Sequence, residues 1–142
     1  MDKVKVSDKL LLSVEKPARY TGGELNSIVK ETARLRFALC FPDVYEIGMS
    51  HLGSRILYEV INSREEYACE RCFAPWPDME KAMRENNVPM FTLETRTPLA
   101  ECDIVGFSLL YEMCYTNILT MLDLAHIHKR SADRGENEPI IV

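Results

Sequence analysis

Several absences narrow what this sequence can be. It has no apolar run of the roughly 20 residues a membrane helix needs. Its opening, "MDKVKVSDKLLLSVEK", lacks the apolar stretch and cleavage site of a secretory leader. A cytoplasmic protein is therefore expected. Basic residues do not predominate: 17 Lys and Arg face 22 Asp and Glu, a net charge of −5, so no broad phosphate-binding face and no direct nucleic-acid binding are expected. The six glycines never fall into Gly-x-Gly-x-x-Gly, which removes the dinucleotide fingerprint. The five cysteines are odd in number and scattered, unlike the framework of a small secreted scaffold, and reduced thiols are expected.

What remains is a chain of 142 residues, 46% apolar, enough for one core but not for two full domains. Short apolar runs alternate with longer stripes of helical period, the pattern of a parallel sheet with crossover helices. "LRFALCF" (Leu35 to Phe41) is the first predicted strand, closed by Pro42 and Asp43. Leu52, Ile56, Leu57, Val60 and Ile61 then recur at helical spacing, predicting a helix with that stripe on the core and Arg55, Glu59 and Arg64 in water. "EYACERCF" reads as a second strand. A helix follows from Pro77, with Met79, Ala82 and Met83 inward and Asn86 and Asn87 at its end. "PMFTLE" predicts a short strand, Thr97 and Pro98 a capped turn, and "DIVGFSLL" (Asp103 to Leu110) the clearest strand. "NILTMLDLAHI" predicts a buried helix, and "EPIIV" begins a strand at the chain's last residues, an expectation that the sequence continues in a longer protein. Residues 1–34 are expected to form an N-terminal extension, two helical turns in "SDKLLLSV" and then a loop with a Gly22-Gly23 turn, packed on a domain of residues 35–142.

The chemistry-bearing residues have bland readings beside them. Cys69 and Cys72 have opposite parity in a strand and point to opposite faces, so they cannot share a metal ion. His126 and His128, at a helix end, read as solvated. Glu65, Glu66 and Glu70 read as a charged edge, and no carboxylate pair or Ser, His and Asp set stands out. Open parallel sheets bind ligands at the carboxyl ends of their strands. Two segments fall there. Leaving the first strand, "PDVYEIGMSHLG" offers Tyr45, Gly48, Met49, His51 and Gly53; leaving the clearest strand, residues 106–117 offer Gly106, Ser108, Leu110, Tyr111, Glu112 and Asn117. His51 has three readings: metal ligand, lining of the crevice, or a capping or solvated residue at a helix start. Tyr45, Trp76, Tyr111 and Tyr115 form either a platform for a ring system or core and lid packing. Glu112 either bonds a cofactor amide or points to water.

Taken in order, "KPARYTGGELNS", "CFPDVYEIGMSHLG", "FAPWPDME", "LETRTPL" and "DIVGFSLLYEMCYTNILTMLDLA" make the chain resemble the N-terminal region of a family of bacterial radical S-adenosylmethionine proteins with a cobalamin-binding domain. The resemblance covers nearly the whole chain. It implies a Rossmann-like α/β domain of flavodoxin-like or cobalamin-binding type, three-layered around a mainly parallel sheet and incomplete at its C-terminal side. It also implies a downstream radical barrel in the same polypeptide, holding a four-iron cluster and S-adenosylmethionine in an iron–sulfur oxidoreductase or transferase. The three cluster cysteines of that class, Cys-x₃-Cys-x₂-Cys, have no counterpart here, so the chain alone is not expected to be catalytic.

Cobalamin domains that ligate cobalt carry Asp-x-His-x-x-Gly, a Ser-x-Leu and a Gly-Gly. Around His51 the flanks are Met49 and Ser54, so the pattern fails on both sides, while Ser108-Leu109-Leu110 matches Ser-x-Leu. Without the aspartate that orients the ring, no lower ligand is expected from His51 and no metal site is assigned. The leading expectation is a cofactor- or substrate-binding module that takes cobalamin, if at all, without a histidine bond. The alternatives are a degenerate domain with no cofactor that docks substrate or the barrel, and a flavin or nucleotide binder.

Overall fold

The run Leu35–Phe41 is apolar on both faces except at Arg36 because it lies inside a parallel sheet, where both faces are covered. The computed structural model describes residues 3–142. Its strands are β1 (Leu35–Phe41), β2 (Tyr67–Phe73), β3 (Ile104–Phe107) and β4 (Ile140–Ile141), all parallel and ordered β2-β1-β3-β4. The helices are α1 (Asp8–Leu11), α2 (Tyr45–Ser50), α3 (Leu52–Asn62), α4 (Pro77–Asn86) and α5 (Tyr115–Leu124).

Side chains alternate across the strands. The even-numbered Ala38, Cys40 and Cys72 meet Met79, Ala82 and Met83 of α4 and Met121, Leu122 and Leu124 of α5. The odd-numbered Leu39 and Cys69 meet Tyr58 of α3. The fold is thus the expected α/β Rossmann-like domain of three layers, and Cys69 and Cys72 do point to opposite layers. Residues of the N-terminal extension enter the even-face core through Val4, Val6, Leu10, Leu11, Val14 and Tyr20. α1 is a single turn rather than two, and Gly22 and Gly23 make their turn at φ 68° and 80°. Asn87 ends α4 in the left-handed conformation, as its position suggested.

Four expectations are corrected. First, the apolar stripe of α3 faces outward: Leu52, Ile56 and Val60 are 66%, 54% and 60% exposed, and Leu57 is half exposed. Only Ile61 of that stripe packs inward. The sheet side of α3 carries Ser54, Tyr58 and Asn62 instead.

The reason is the edge position of β2, whose outer backbone groups need partners. The Asn62 side chain supplies both for Cys69, accepting from its N–H at 3.0 Å and donating to its carbonyl at 3.0 Å. Lys30 Nζ donates to the Tyr67 carbonyl at 2.6 Å. At Arg71 the N–H donates to a Glu94 carboxylate oxygen at 2.7 Å, and the carbonyl accepts from Leu93 N–H at 2.9 Å.

Second, "PMFTLE" is not a strand. It has one antiparallel bridge, Phe91 with Pro98, and then turns, with Thr92 N–H donating to the Thr97 carbonyl at 3.0 Å. Third, Glu70 is no solvated edge residue: it is 1% exposed, ion-paired to Arg36, and accepts from the hydroxyls of Thr92 and, at 2.6 Å, Thr95. Partners of this kind offset the cost of taking a carboxyl group out of water. Fourth, β3 ends at Phe107, four residues long, and Leu109 and Leu110 leave the sheet for solvent.

Two substitutions separate the observed α3 from the amphipathic helix its sequence suggests. Asn62→Ala strips two buried backbone groups of their partner and is expected to cost about 2–4 kcal/mol. Val60→Ser, on the outward stripe, is expected to change stability by less than about 0.5 kcal/mol. Urea unfolding of both variants checks the pair.

Candidate functional site at the carboxyl edge of the sheet

From β1 the chain winds first to β2 on one side and later to β3 on the other, so the strand order reverses between β1 and β3. The crevice beyond that switch point is where open α/β sheets bind ligands. Three hydrogen bonds join the two loops that leave it. Ser108 N–H donates to the Cys40 carbonyl at 3.0 Å, Asn117 Nδ2 donates to the Pro42 carbonyl at 2.9 Å, and the Tyr111 hydroxyl donates to Asp43 at 2.7 Å. The bond to Asp43 is the chief cause that holds the Tyr111 proton above the ordinary phenol range. Asp43 is itself fixed, its other oxygen accepting from Val44 N–H at 2.7 Å.

Beside this closure lies a cleft of about 230 Å³ lined by Asp43, Pro75, Trp76, Asn117 and Thr120. The rim around it is apolar and open to solvent. Leu109, Leu110, Tyr111 and Tyr115 are each about half exposed and Met113 is 80% exposed. Trp76, also exposed, carries the Arg19 guanidinium 5.2 Å from its ring centre.

Of the sequence-selected residues, Ser108, Tyr111 and Asn117 therefore meet at the switch point, with Leu110 and Glu112 exposed on the same rim. The others are placed elsewhere. Tyr45 turns its hydroxyl to Glu24 at 3.0 Å and its ring edge to Phe73. Gly48 is buried against Phe73, whose ring an added Cβ would strike, and it lines a groove on the odd face of the sheet rather than the switch-point crevice. Met49 meets Arg71, its sulfur 3.2 Å from Nη1. Gly106 lies under the Phe37 ring within β3, and Gly53 lies beside the His51 ring. Asp43, which lines the observed crevice, was not selected, and Trp76, which also lines it, was read only as part of an aromatic platform or packing. Asp43 is the first polar residue after β1, and that position was the available signal.

His51 ends α2 and caps α3. Its Nδ1 accepts from Ser54 N–H at 3.1 Å and lies 2.9 Å from the Ser54 hydroxyl. A neutral imidazole has one lone-pair nitrogen. With that pair committed to the cap, Nε2 carries the proton and offers no donor to cobalt, so the residues present do not fit a histidine-ligated corrinoid.

No group of three or more His, Cys, Asp or Glu among the described residues could hold a metal ion. All five thiols are buried. Burial pushes Cys69 and Cys102 up to about 12 and Cys40 well above its ordinary value, which leaves these three without thiolate character. No helix among the described residues is long and apolar enough to cross a membrane.

The capping role has a measurable signature. His51→Ala is expected to lower stability by about 1 kcal/mol, and His51→Asp, which restores a carboxylate acceptor at the same N-cap, to recover most of it. Urea midpoints of the two variants check this.

The arrangement so far is a doubly wound domain with a switch-point crevice and an open apolar rim. A family profile described as "Radical SAM proteins, N-terminal" matches residues 53–142, from the first turn of α3 through β4. No curated protein and no solved structure matches the chain. With the profile spanning well over half of the sequence and ending on the observed sheet, the chain belongs to the family of radical S-adenosylmethionine (SAM) protein N-terminal domains.

Proposed function

We propose that this domain is the docking and substrate-positioning module of a radical SAM enzyme, with its switch-point rim turned toward the downstream domain of the same polypeptide. The observation that carries the reading is the rim itself: Leu109, Leu110, Tyr111, Met113 and Tyr115 stand in solvent within one short segment, and Tyr111 ties that segment to Asp43 of the cleft. Contiguous exposed apolar surface rimmed by polar groups is characteristic of an interaction site. In this reading the four-iron cluster and S-adenosylmethionine belong to the downstream domain, and the chain contributes orientation and exclusion of water.

A second reading, a corrinoid held at the same rim by backbone and packing contacts alone, is favoured by one observation. Ser108, the start of the Ser-x-Leu match, sits at the end of β3 beside the switch point.

Two measurements decide between them. Amide exchange of residues 108–115 is expected to be slowed about tenfold or more in the full-length enzyme relative to residues 1–142 alone, and Met113→Glu with Leu110→Glu is expected to abolish that difference. Titration with hydroxocobalamin is expected to give no saturable absorbance change. Equal exchange in both proteins would refute docking at the rim, and a saturable change would favour the corrinoid.

A further inference from the structure

A concavity larger than the cleft at the rim lies elsewhere on the domain. It opens on the odd face of the sheet, a groove of about 470 Å³ between α3, residues 24–26 and the strands β1 and β2. Leu39, Phe41 and Phe73 line it from the sheet, and Met49, Leu52 and Ile56 line it from α2 and α3. The volume lies within the range of about 300–1,000 Å³ that accommodates small organic ligands. Its existence follows from the orientation of α3, whose apolar stripe flanks the groove instead of closing on the sheet.

The lining is mostly apolar, with Glu24, Asn26, Arg55 and Glu59 among its polar members. On the sheet side the polar group is the Arg71 guanidinium, and it is held on nearly every side. Nε donates to Glu94 at 2.6 Å, and Nη2 donates to Ser27 at 2.8 Å and to Glu24 at 3.2 Å. The Tyr58 ring lies 4.7 Å from the guanidinium carbon. Among the described residues Nη1 has no oxygen acceptor; its partner is the Met49 thioether at 3.2 Å, a weak acceptor on a flexible side chain. A strong donor with a replaceable partner, beside the apolar wall of the groove, marks a place for an acceptor from outside.

The charge balance defines the acceptor. Two carboxylates, Glu94 and Glu24, already face the single guanidinium, so a third anion would meet net repulsion. At the groove's margin Arg55 and Glu59 offset one another in sign. An uncharged oxygen suffers no such repulsion and gives a charge-assisted hydrogen bond.

We propose that this groove binds an uncharged, largely apolar small molecule carrying a hydrogen-bond acceptor such as a ketone, ester or amide oxygen, which displaces the Met49 sulfur from Arg71 Nη1. The site is separate from the rim and does not depend on the docking role. Nile red, uncharged and apolar with a ring carbonyl, is the probe. Titrated into the purified chain, it is expected to show a saturable, one-to-one, blue-shifted rise in fluorescence.

Ile56→Glu and Leu52→Glu, both at exposed positions that leave the fold intact, each place a charge at the groove and are expected to weaken binding about tenfold or more. Met113→Glu at the rim is expected to leave it within about twofold. The ketone 2-undecanone is expected to displace the probe, and decanoate, of similar length but anionic, to fail to do so at the same concentration. Non-saturating fluorescence, indifference to both groove variants, loss of binding in Met113→Glu, self-association that tracks the fluorescence rise, or equal competition by decanoate would each overturn the assignment.

Discussion

The outer edge of β2 is the constraint on which much of this domain depends. A strand at the end of a sheet presents a row of N–H and carbonyl groups that water or another strand would otherwise take. Here side chains take them. Lys30 serves Tyr67, Asn62 serves Cys69, and Glu94 with Leu93 N–H serves Arg71. These partners come from the N-terminal segment, from α3 and from the loop after α4, so satisfying one edge ties three separate parts of the chain to the sheet. Because Asn62 and Tyr58 occupy the sheet side of α3, its aliphatic residues have nowhere to go but outward.

That priority of backbone satisfaction over side-chain hydrophobicity explains where the sequence was legible and where it was not. β1 and α4 were readable because burial and apolar pattern coincide in them: "LRFALCF" has both faces covered, and Met79, Ala82 and Met83 lie on one stripe with Pro77 at the start and Asn87 at the end. α3 was readable as a helix but not in its orientation, since periodicity reports that one side is apolar without reporting which side meets the sheet. Glu70 misled in the same way. A glutamate beside other glutamates reads as solvated, and only the tertiary arrival of Arg36, Thr92 and Thr95 makes its burial affordable.

The site was legible at the level of topology more than of residues. The rule that ligand crevices form at strand carboxyl ends selected both loops of the switch point, and Ser108, Tyr111 and Asn117 bond there to the backbone or side chains of residues 40–43. The segment 44–53 was harder to place because α2 is short and turns its buried side under the sheet. Gly48 disappears against Phe41 and Phe73, Met49 reaches Arg71, and the His51 ring folds back to cap the helix that follows. Glycine and histidine in a loop are the residue types of a ligand site, but they are also the types of close packing and capping, and spacing alone does not separate the two.

Neighbouring residues of one strand carry the polar interior of both layers. Glu70 points to the even face and pairs with Arg36; Arg71 points to the odd face and pairs with Glu94 and Glu24. A single loop attends to both, Thr92 and Thr95 reaching Glu70 while Glu94 between them reaches Arg71, so it wraps the edge of β2 with alternate contacts. Buried ion pairs of this kind add little net stability, because desolvation offsets most of their attraction, but breaking one is costly. What they fix is position. They set the height of the loop, the register of the N-terminal segment through Glu24, and the direction in which the Arg71 guanidinium looks into the groove. A hydrophobic replacement would remove the donor that the sheet side of that groove offers to an occupant.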